Sequence, residues 1–334
     1  MKKMISVLTA SALAFSLVAC GSSTDSTDAT VSTDSTSDSQ TYNVGVIQLV
    51  QHVALDAATQ GFEDALTDKL GDSVTITVEN AAGDTPTCST IANQFVSEDV
   101  DLIMANATPA LQAAQSATNS IPIVATSITD YATALSIDDW SGSTGINVTG
   151  TADLAPLEGQ AEMLNELFPD AKNVGIIYCS AEANSVYQVE TITGYLEDYG
   201  YTVTEYTFAD SNDVASVTQS ACDASDVIYV PTDNTAASCA ETINNVALTA
   251  GVPIVAGEEG ICKGCGVATL SISYYDIGYA AGIMAYDILV NGEDPATMEI
   301  QYAEEFTKEY NPDIVEKLGI EIPSDYVAID MSED

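Results

Sequence analysis

The chain carries the same message twice. "NVGVIQLV" at residues 43–50 and "NVGIIYCS" at 173–180 are near-copies, each an apolar run of the length of a buried strand. Each runs into a helix-patterned stretch, 54–66 in the first half and 185–199 in the second. A second strand follows at 74–80 or 202–208, then a helix at roughly 85–98 or 212–224. The third strand of each series is the most telling. "DLIMANATPALQ" from Asp101 and "DVIYVPTDNTAAS" from Asp226 share one order: acid, apolar run, polar turn, small-residue helix. A Pro-marked strand comes next in both, "SIPIVA" at 120–125 and "GVPIVA" at 251–256. Asn43 stands 58 residues before Asp101, and Asn173 stands 53 before Asp226, so the repeat has the scale of a domain.

Strands that are apolar on both sides and alternate with helices predict parallel sheets covered on both faces. Ligands of such sheets bind beyond the carboxyl ends of the strands. Two copies on one chain therefore predict two lobes across a cleft. Residues 145–160, with their Gly and Pro, read as a crossover between the lobes. The tail, with a strand and helix in "ATLSISYYDIGYAAGIMAYDILVNG" and a last strand in "MEIQYAEEF", is long enough to cross back more than once. At 334 residues, 46% of them hydrophobic, the chain can fill a large core.

The repeated strand ends nominate a binding site. Thr108 and Pro109 open one helix, Asp233 and Asn234 its counterpart, and Asn184 and Ser185 the helix after 173–180. Gln48 and Asn80 end the first two strands. Free N–H groups at helix starts favour an anion such as a carboxylate, while Asp233 and Asp130 would balance a cationic group. That pairing suits a free amino acid. The same residues also read as caps and turns. Tyr131, Trp140 and Tyr274 are candidates to stack on a ring, Tyr131 first among them, against the alternative that they pack in the core. His52 is the single histidine, so a metal site of the usual kind is not expected, and a solvated loop position or pocket lining is.

Charge narrows the function further. The chain has 50 Asp and Glu against 7 Lys and no Arg, a formal charge of -43. It repels phosphate backbones, which argues against nucleic acid as a partner. No guanidinium fork is available for an anionic ligand. Nucleophile elbow, Walker loop and zincin motifs are absent, so no enzyme activity and no cofactor are expected. "CKGC" at 262–265 lacks a second pair at zinc spacing, and neither it nor Cys88, Cys179, Cys222 and Cys239 forms a recognisable framework.

Lys2 and Lys3 precede an apolar stretch from Met4 to Ala19, the order of a secretory signal and short for a membrane span. It ends in "LVAC", which resembles the lipobox of bacterial lipoproteins and implies acylation of Cys20. In residues 21–40, sixteen of twenty are Ser, Thr or Asp, the composition of a flexible tether.

The lipobox, "GVIQLVQHVALDAATQGFEDAL", "NAAGD", "ANATPALQAAQ", "IPIVATSITD", "NVTGTADLAPLEGQ", "EANS" and "VPTDNT" together resemble the ABC-transporter substrate-binding lipoproteins of the tryptophan/tyrosine-binding type, from about residue 43 to 322. The resemblance implies the two-lobed α/β fold of type I periplasmic binding proteins with three interlobe crossovers. On it, residues 42–152 plus about 274–294 form lobe 1, and 153–273 plus about 295–325 form lobe 2. It implies capture of a small solute, an aromatic amino acid favoured, delivery to a permease and ATPase, and a lipid-anchored position outside the cytoplasm. A sensor lipoprotein, or a receptor for a sugar or nucleoside, fits the same residues. Tyr131 stands where the family commonly has Pro.

Overall fold

The structure, a computed structural model, describes residues 41–332. The expected signal sequence, Cys20 and the Ser/Thr/Asp tether lie outside the described residues.

The first copy folds as β1 (Tyr42–Gln48), α1 (Val53–Leu70), β2 (Val74–Asn80), α2 (Thr85–Ser97), β3 (Leu102–Asn106), α3 (Thr108–Ala117), β4 (Ile123–Ile128), α4 (Tyr131–Leu135) and β5 (Val148–Ala152). The second runs α5 (Leu157–Leu167), β6 (Asn173–Cys179), α6 (Ala183–Asp198), β7 (Thr202–Phe208), α7 (Val214–Cys222), β8 (Val227–Val230), α8 (Asn234–Ser238), α9 (Ala240–Ala250), β9 (Ile254–Ala256), α10 (Glu259–Cys265) and β10 (Ala268–Ser271). The tail adds α11 (Tyr274–Tyr286), β11 (Gln301–Tyr302), β12 (Thr307–Tyr310), α12 (Pro312–Leu318) and β13 (Val327–Ala328).

Both sheets have the same strand order in their shared part, β2-β1-β3-β4-β5 and β7-β6-β8-β9-β10. All pairs are parallel except β10 with β12. Central strands such as β3 and β4 are buried at every position, because helices cover both faces. The repeated acids act at the opposite end of the strands from the cleft. Asp101 accepts from the Asn43 N–H at 2.7 Å, and Asp226 from the Asn173 N–H at 2.8 Å, so each pins the start of its neighbouring strand.

The chain passes between the sheets three times: after β5, between β10 and α11, and between β11 and β12. The last passage falls later than the sequence suggests. Gln301 and Tyr302 pair with Thr151 and Ala152, so the segment from 295 to 302 stays with the first sheet instead of joining the second. "MEIQYAEEF" supplies only two strand residues, Gln301 and Tyr302, both exposed at the edge of the first sheet.

Helix α11 is held on the first lobe by very close packing against α1. A Cβ on Gly278 would stand 2.0 Å from the Ala58 carbonyl oxygen, and one on Gly61 would stand 2.1 Å from that of Tyr275. Only glycine lets the two backbones approach so far. Gly278→Leu should cost roughly 3 kcal/mol, the upper part of the overpacking range, and lower the urea midpoint. Gly194 in α6, where an added methyl would meet nothing within 4 Å, is the contrast. Gly194→Ala should raise stability by about 0.5–1 kcal/mol in the same titration.

Candidate functional site

The carboxyl ends of β1, β3, β6 and β8 face one another across the lobes, as parallel covered sheets require. A cavity of about 340 Å³ lies there, with walls from both halves: Leu49, Val50 and Pro109 from the first, Glu182, Asn234 and Thr235 from the second. The size suits a small organic solute. The lobes also touch directly. His52 Nε2 meets Asn234 Oδ1 at 3.3 Å, and Gln188 Nε2 meets Thr129 Oγ1 at 3.5 Å.

On the first lobe the notable element is the start of α3. Ala107, with φ 90 and ψ 156, occupies a region that residues other than glycine rarely enter, and Ser127 on the adjoining strand end has φ 58. Strain of this kind is concentrated where backbone groups must be aimed. No side chain caps α3, and neither the Thr108 nor the Ala110 N–H has an acceptor among the described residues. Thr108 is buried and Pro109 lines the cavity. This helix start fits an anionic group.

The matching helix start on the second lobe differs from expectation. Its N–H groups are already filled by the chain's own acids. Asp233 caps α8 through the Ala236 N–H at 2.7 Å, and its other oxygen accepts from the Cys179 N–H and the Ser185 hydroxyl, both at 2.7 Å. Glu182, a residue that sequence reasoning passed over, covers the rest. Its Oε2 accepts from Asn184 Nδ2 and from the backbone and side-chain nitrogens of Asn234, and its Oε1 from the N–H and hydroxyl of Thr235. An external anion has no donors left there. Burial, and then the neighbouring Glu182, push the Asp233 carboxyl above its ordinary range.

These bonds fix the polarity of what remains. Glu182 holds Asn234 Nδ2, so Asn234 turns its Oδ1 toward His52, and His52 must carry its proton on Nε2. Burial lowers the His52 pKa, which keeps the ring neutral and leaves Nδ1 a bare acceptor. Asn184 Nδ2 is committed to Glu182 and the Thr232 carbonyl. His52 Nδ1 and Asn184 Oδ1 are both buried without a partner.

Other nominated residues frame the site or lie elsewhere. Gln48 bonds to Asp56, Thr59 and the Val50 carbonyl, so it orients the start of α1 behind His52 and does not face the cavity. Asn80 is exposed and closes a turn with the Ala82 N–H. Asp130 caps α4 through the Thr133 N–H at 2.7 Å and lies by Tyr187 and Tyr302, away from the cavity. Tyr131 is the clearest correction. It is buried in the first core, donates its hydroxyl to the Ala125 carbonyl at 2.9 Å, and stacks on Trp140 at 6.5 Å, so it has no face to offer a ligand. Tyr274 binds Asp153 at the hinge. The six cysteines among the described residues are unpaired, and both thiols of "CKGC" are buried in α10.

Comparison with known proteins places these features. The family described as ABC transporter substrate binding protein matches residues 43–331. A tyrosine-binding protein of Clostridioides difficile (strain R20291) is 37% identical over 302 residues, 89% of this chain and 87% of the relative. The structure of an ABC domain in complex with L-Trp from Streptococcus pneumonia superposes with TM-score 0.82 at 33% identity, covering 85% of this chain and 97% of that one. A ligand-free, open substrate-binding protein with adhesive properties from Clostridium difficile gives 0.66 at 35% identity, covering 87% and 100%. At nearly equal identity and coverage, the chain lies closer to the complex than to the open form.

The hinge beside the cleft makes stability depend on pH. Asp153, on the first crossover, takes bonds from Tyr274 at 3.0 Å and Thr129 at 3.1 Å, yet burial pushes it up to about 6. Glu258, the cap of α10, is pushed up to about 7 by burial. Unfolded, both carboxyls titrate near 4. Between about pH 4 and 7 the folded state thus holds protons that the unfolded state has lost, and stability falls as pH rises through that window. The melting temperature should be higher at pH 5 than at pH 8, with on the order of 1 kcal/mol from Asp153 and on the order of 2–3 kcal/mol from Glu258. Asp153→Asn should flatten the dependence in a calorimetric pH series.

Proposed function

The chain belongs to the ABC transporter substrate-binding protein family, and on that premise we propose that its solute is an aromatic amino acid, tyrosine or tryptophan. The family role is solute capture for an importer, without catalysis, with permease and ATPase subunits as partners and a place outside the cytoplasm. The observation that carries the aromatic amino-acid reading is the pairing of opposite polarities on the two sides of the cleft, with the uncapped α3 start at Pro109 on one and Glu182 with Asn234 on the other. Free helix N–H groups on the first lobe suit a carboxylate, and an acceptor-only acidic cluster on the second suits an ammonium. Leu49, Val50 and Pro109 offer apolar surface for a ring between them. The named ligands of the relatives agree with this chemistry. A sugar finds no aromatic face in the cavity walls on which to stack. Thr108, Pro109, Asn184 and Asn234 are the expected contact residues, with Ser185, Asp233 and Gln48 holding them in place.

The lobes stand in the closed arrangement, as their direct contacts and the closer match to the tryptophan complex indicate. Solute binding then stabilises the closed state over the open one by its contacts to both lobes. "LVAC" supports lipidation at Cys20 and attachment to the membrane surface, the tether of 21–40 giving reach. No helix among the described residues is long and apolar enough to cross a membrane.

Full-length protein purified in detergent, unfolded and refolded to strip bound solute, should melt roughly 5 °C higher with tyrosine or tryptophan at a hundred times the dissociation constant. Response to sugars or nucleosides alone would refute the amino-acid reading. Cys20→Ser should move the protein from the membrane fraction to the soluble fraction of cells, whereas an unchanged distribution would remove the lipid anchor.

A further inference from the structure

Away from the solute cavity, a second set of buried polar groups joins the lobes at the hinge. Asp153 follows β5 on the first crossover and is 4% exposed. Its backbone N–H already closes the strand end on the Ile128 carbonyl at 3.2 Å. Both carboxylate oxygens go to hydroxyls that arrive on other segments. Oδ1 accepts from Thr129 at 3.1 Å, just past β4, and Oδ2 from Tyr274 at 3.0 Å, at the start of α11. A hydroxyl that has given its one hydrogen to a carboxylate can only accept from a further partner. Toward the second lobe Thr129 and Tyr274 are therefore acceptors, and donors face them. Gln188 Nε2 of α6 stands 3.5 Å from Thr129 Oγ1, and the Thr232 hydroxyl donates toward the Tyr274 oxygen. Gln188 and Thr232 form one unit: the Thr232 N–H meets Gln188 Oε1 and Gln188 Nε2 meets the Thr232 carbonyl, both at 3.0 Å. Each donor also has an acceptor in its own lobe, the Asn184 carbonyl for Gln188 at 3.1 Å and the Gly257 carbonyl for Thr232 at 3.3 Å. Separating the lobes thus leaves none of these groups without a partner.

We propose that Asp153 is the positioning residue of lobe closure: it holds the Thr129 and Tyr274 hydroxyls with their lone pairs turned to Gln188 and Thr232, so that the second lobe docks on acceptors already aimed at it. This rests on the closed arrangement and solute capture described above, and adds a latch whose five side chains are separate from the walls of the solute cavity. Burying a carboxylate on two hydroxyls, with no cation beside it, is unfavourable against an apolar residue of the same shape. The strand end does not need it, since the backbone bond to Ile128 is made in any case. What the carboxylate supplies is polarity. An asparagine at 153 offers one acceptor and one donor, so one of the two hydroxyls would turn its hydrogen to the second lobe and meet a donor there. The latch is a weak one, because Gln188 Nε2 divides two hydrogens among Thr129 and two carbonyls. It therefore lengthens the closed state by a modest factor. With every partner satisfied in the open state, it slows opening and leaves the entry of the solute alone.

Stopped-flow binding of L-tyrosine to full-length protein in detergent tests this at pH 8, where Asp153, pushed up to about 6 by burial, is a carboxylate. Thr129→Val and Tyr274→Phe each remove one hydroxyl and keep the shape. Each should speed dissociation about fivefold and leave association within about twofold. Thr129→Ser keeps the hydroxyl and loses a methyl group, and should release L-tyrosine within about twofold of the wild-type rate. Asp153→Asn should speed dissociation about tenfold in the wild-type background, but by less than about twofold once Thr129→Val and Tyr274→Phe are both present, since its effect passes through those hydroxyls. If Asp153→Asn does not fold, as judged by circular dichroism, the three hydroxyl variants decide. Wild-type release from Thr129→Val and Tyr274→Phe, a loss confined to association, release from Thr129→Ser as fast as from Thr129→Val, or an undiminished effect of Asp153→Asn in the double variant would each overturn the latch. Should neither L-tyrosine nor L-tryptophan bind, the aromatic reading fails on its own, and hydrogen exchange on the solute-free protein makes the comparison instead. Faster exchange at residues 108–111 and 184–188 in Thr129→Val than in Thr129→Ser supports the latch, and equal exchange overturns it.

Discussion

Both sheets are parallel through their five shared strands and covered on two faces, and this one constraint decides where the protein can be polar. A strand such as β3 or β4 is buried along its whole length, so a side chain that is to meet a solute must stand where the strand stops. The duplication places two such edges on one chain, and the three passages between the sheets hold them opposite each other. Everything distinctive about the cleft follows from strand ends. The strained Ala107 lies immediately after β3, the Asp233 cap follows β8 closely, and His52 sits in the loop after β1.

The two edges diverged in what they do with the same geometry. The first leaves its helix start uncapped, with Pro109 at the cavity wall. The second closes its helix start with Asp233 and Glu182, turning a donor site into an acidic one. A chain with 7 Lys and no Arg can make this distinction only with backbone groups and carboxylates. The cleft therefore has a polarity along which a zwitterion fits in one direction.

Much of the architecture was legible because it repeats. β2 and β7 fall on the expected residues, and the acids that open the third strands bind the very Asn residues that open the first. The site was less legible, for physical reasons. Tyr131 sits one residue past a strand-end acid, where a ligand contact and a core residue look alike in sequence. The adjoining glycine decided its place, since a Cβ on Gly150 would meet the Tyr131 hydroxyl at 2.5 Å. Asp130 and Asn80 carry the chemistry of a site and the position of a cap or turn, and the structure uses the latter. Glu182 opens the quoted "EANS" stretch, yet as one carboxylate among 50 acidic residues it gives no sign of its role. Its partners, Asn234 and Thr235, lie some fifty residues on and only the fold unites them.

The grip of α11 on α1 has a further consequence, for the order in which the molecule comes together. The first lobe needs residues 274–302 to cover α1 and extend its sheet, and the second needs β12, α12 and β13. Neither half of the duplication is a self-sufficient folding unit, although each looks like one in sequence. A polypeptide that emerges N-terminus first must keep the small-residue side of α1 uncovered until some two hundred further residues have followed it. The two lobes thus share one completing segment, and neither reaches its final packing without it.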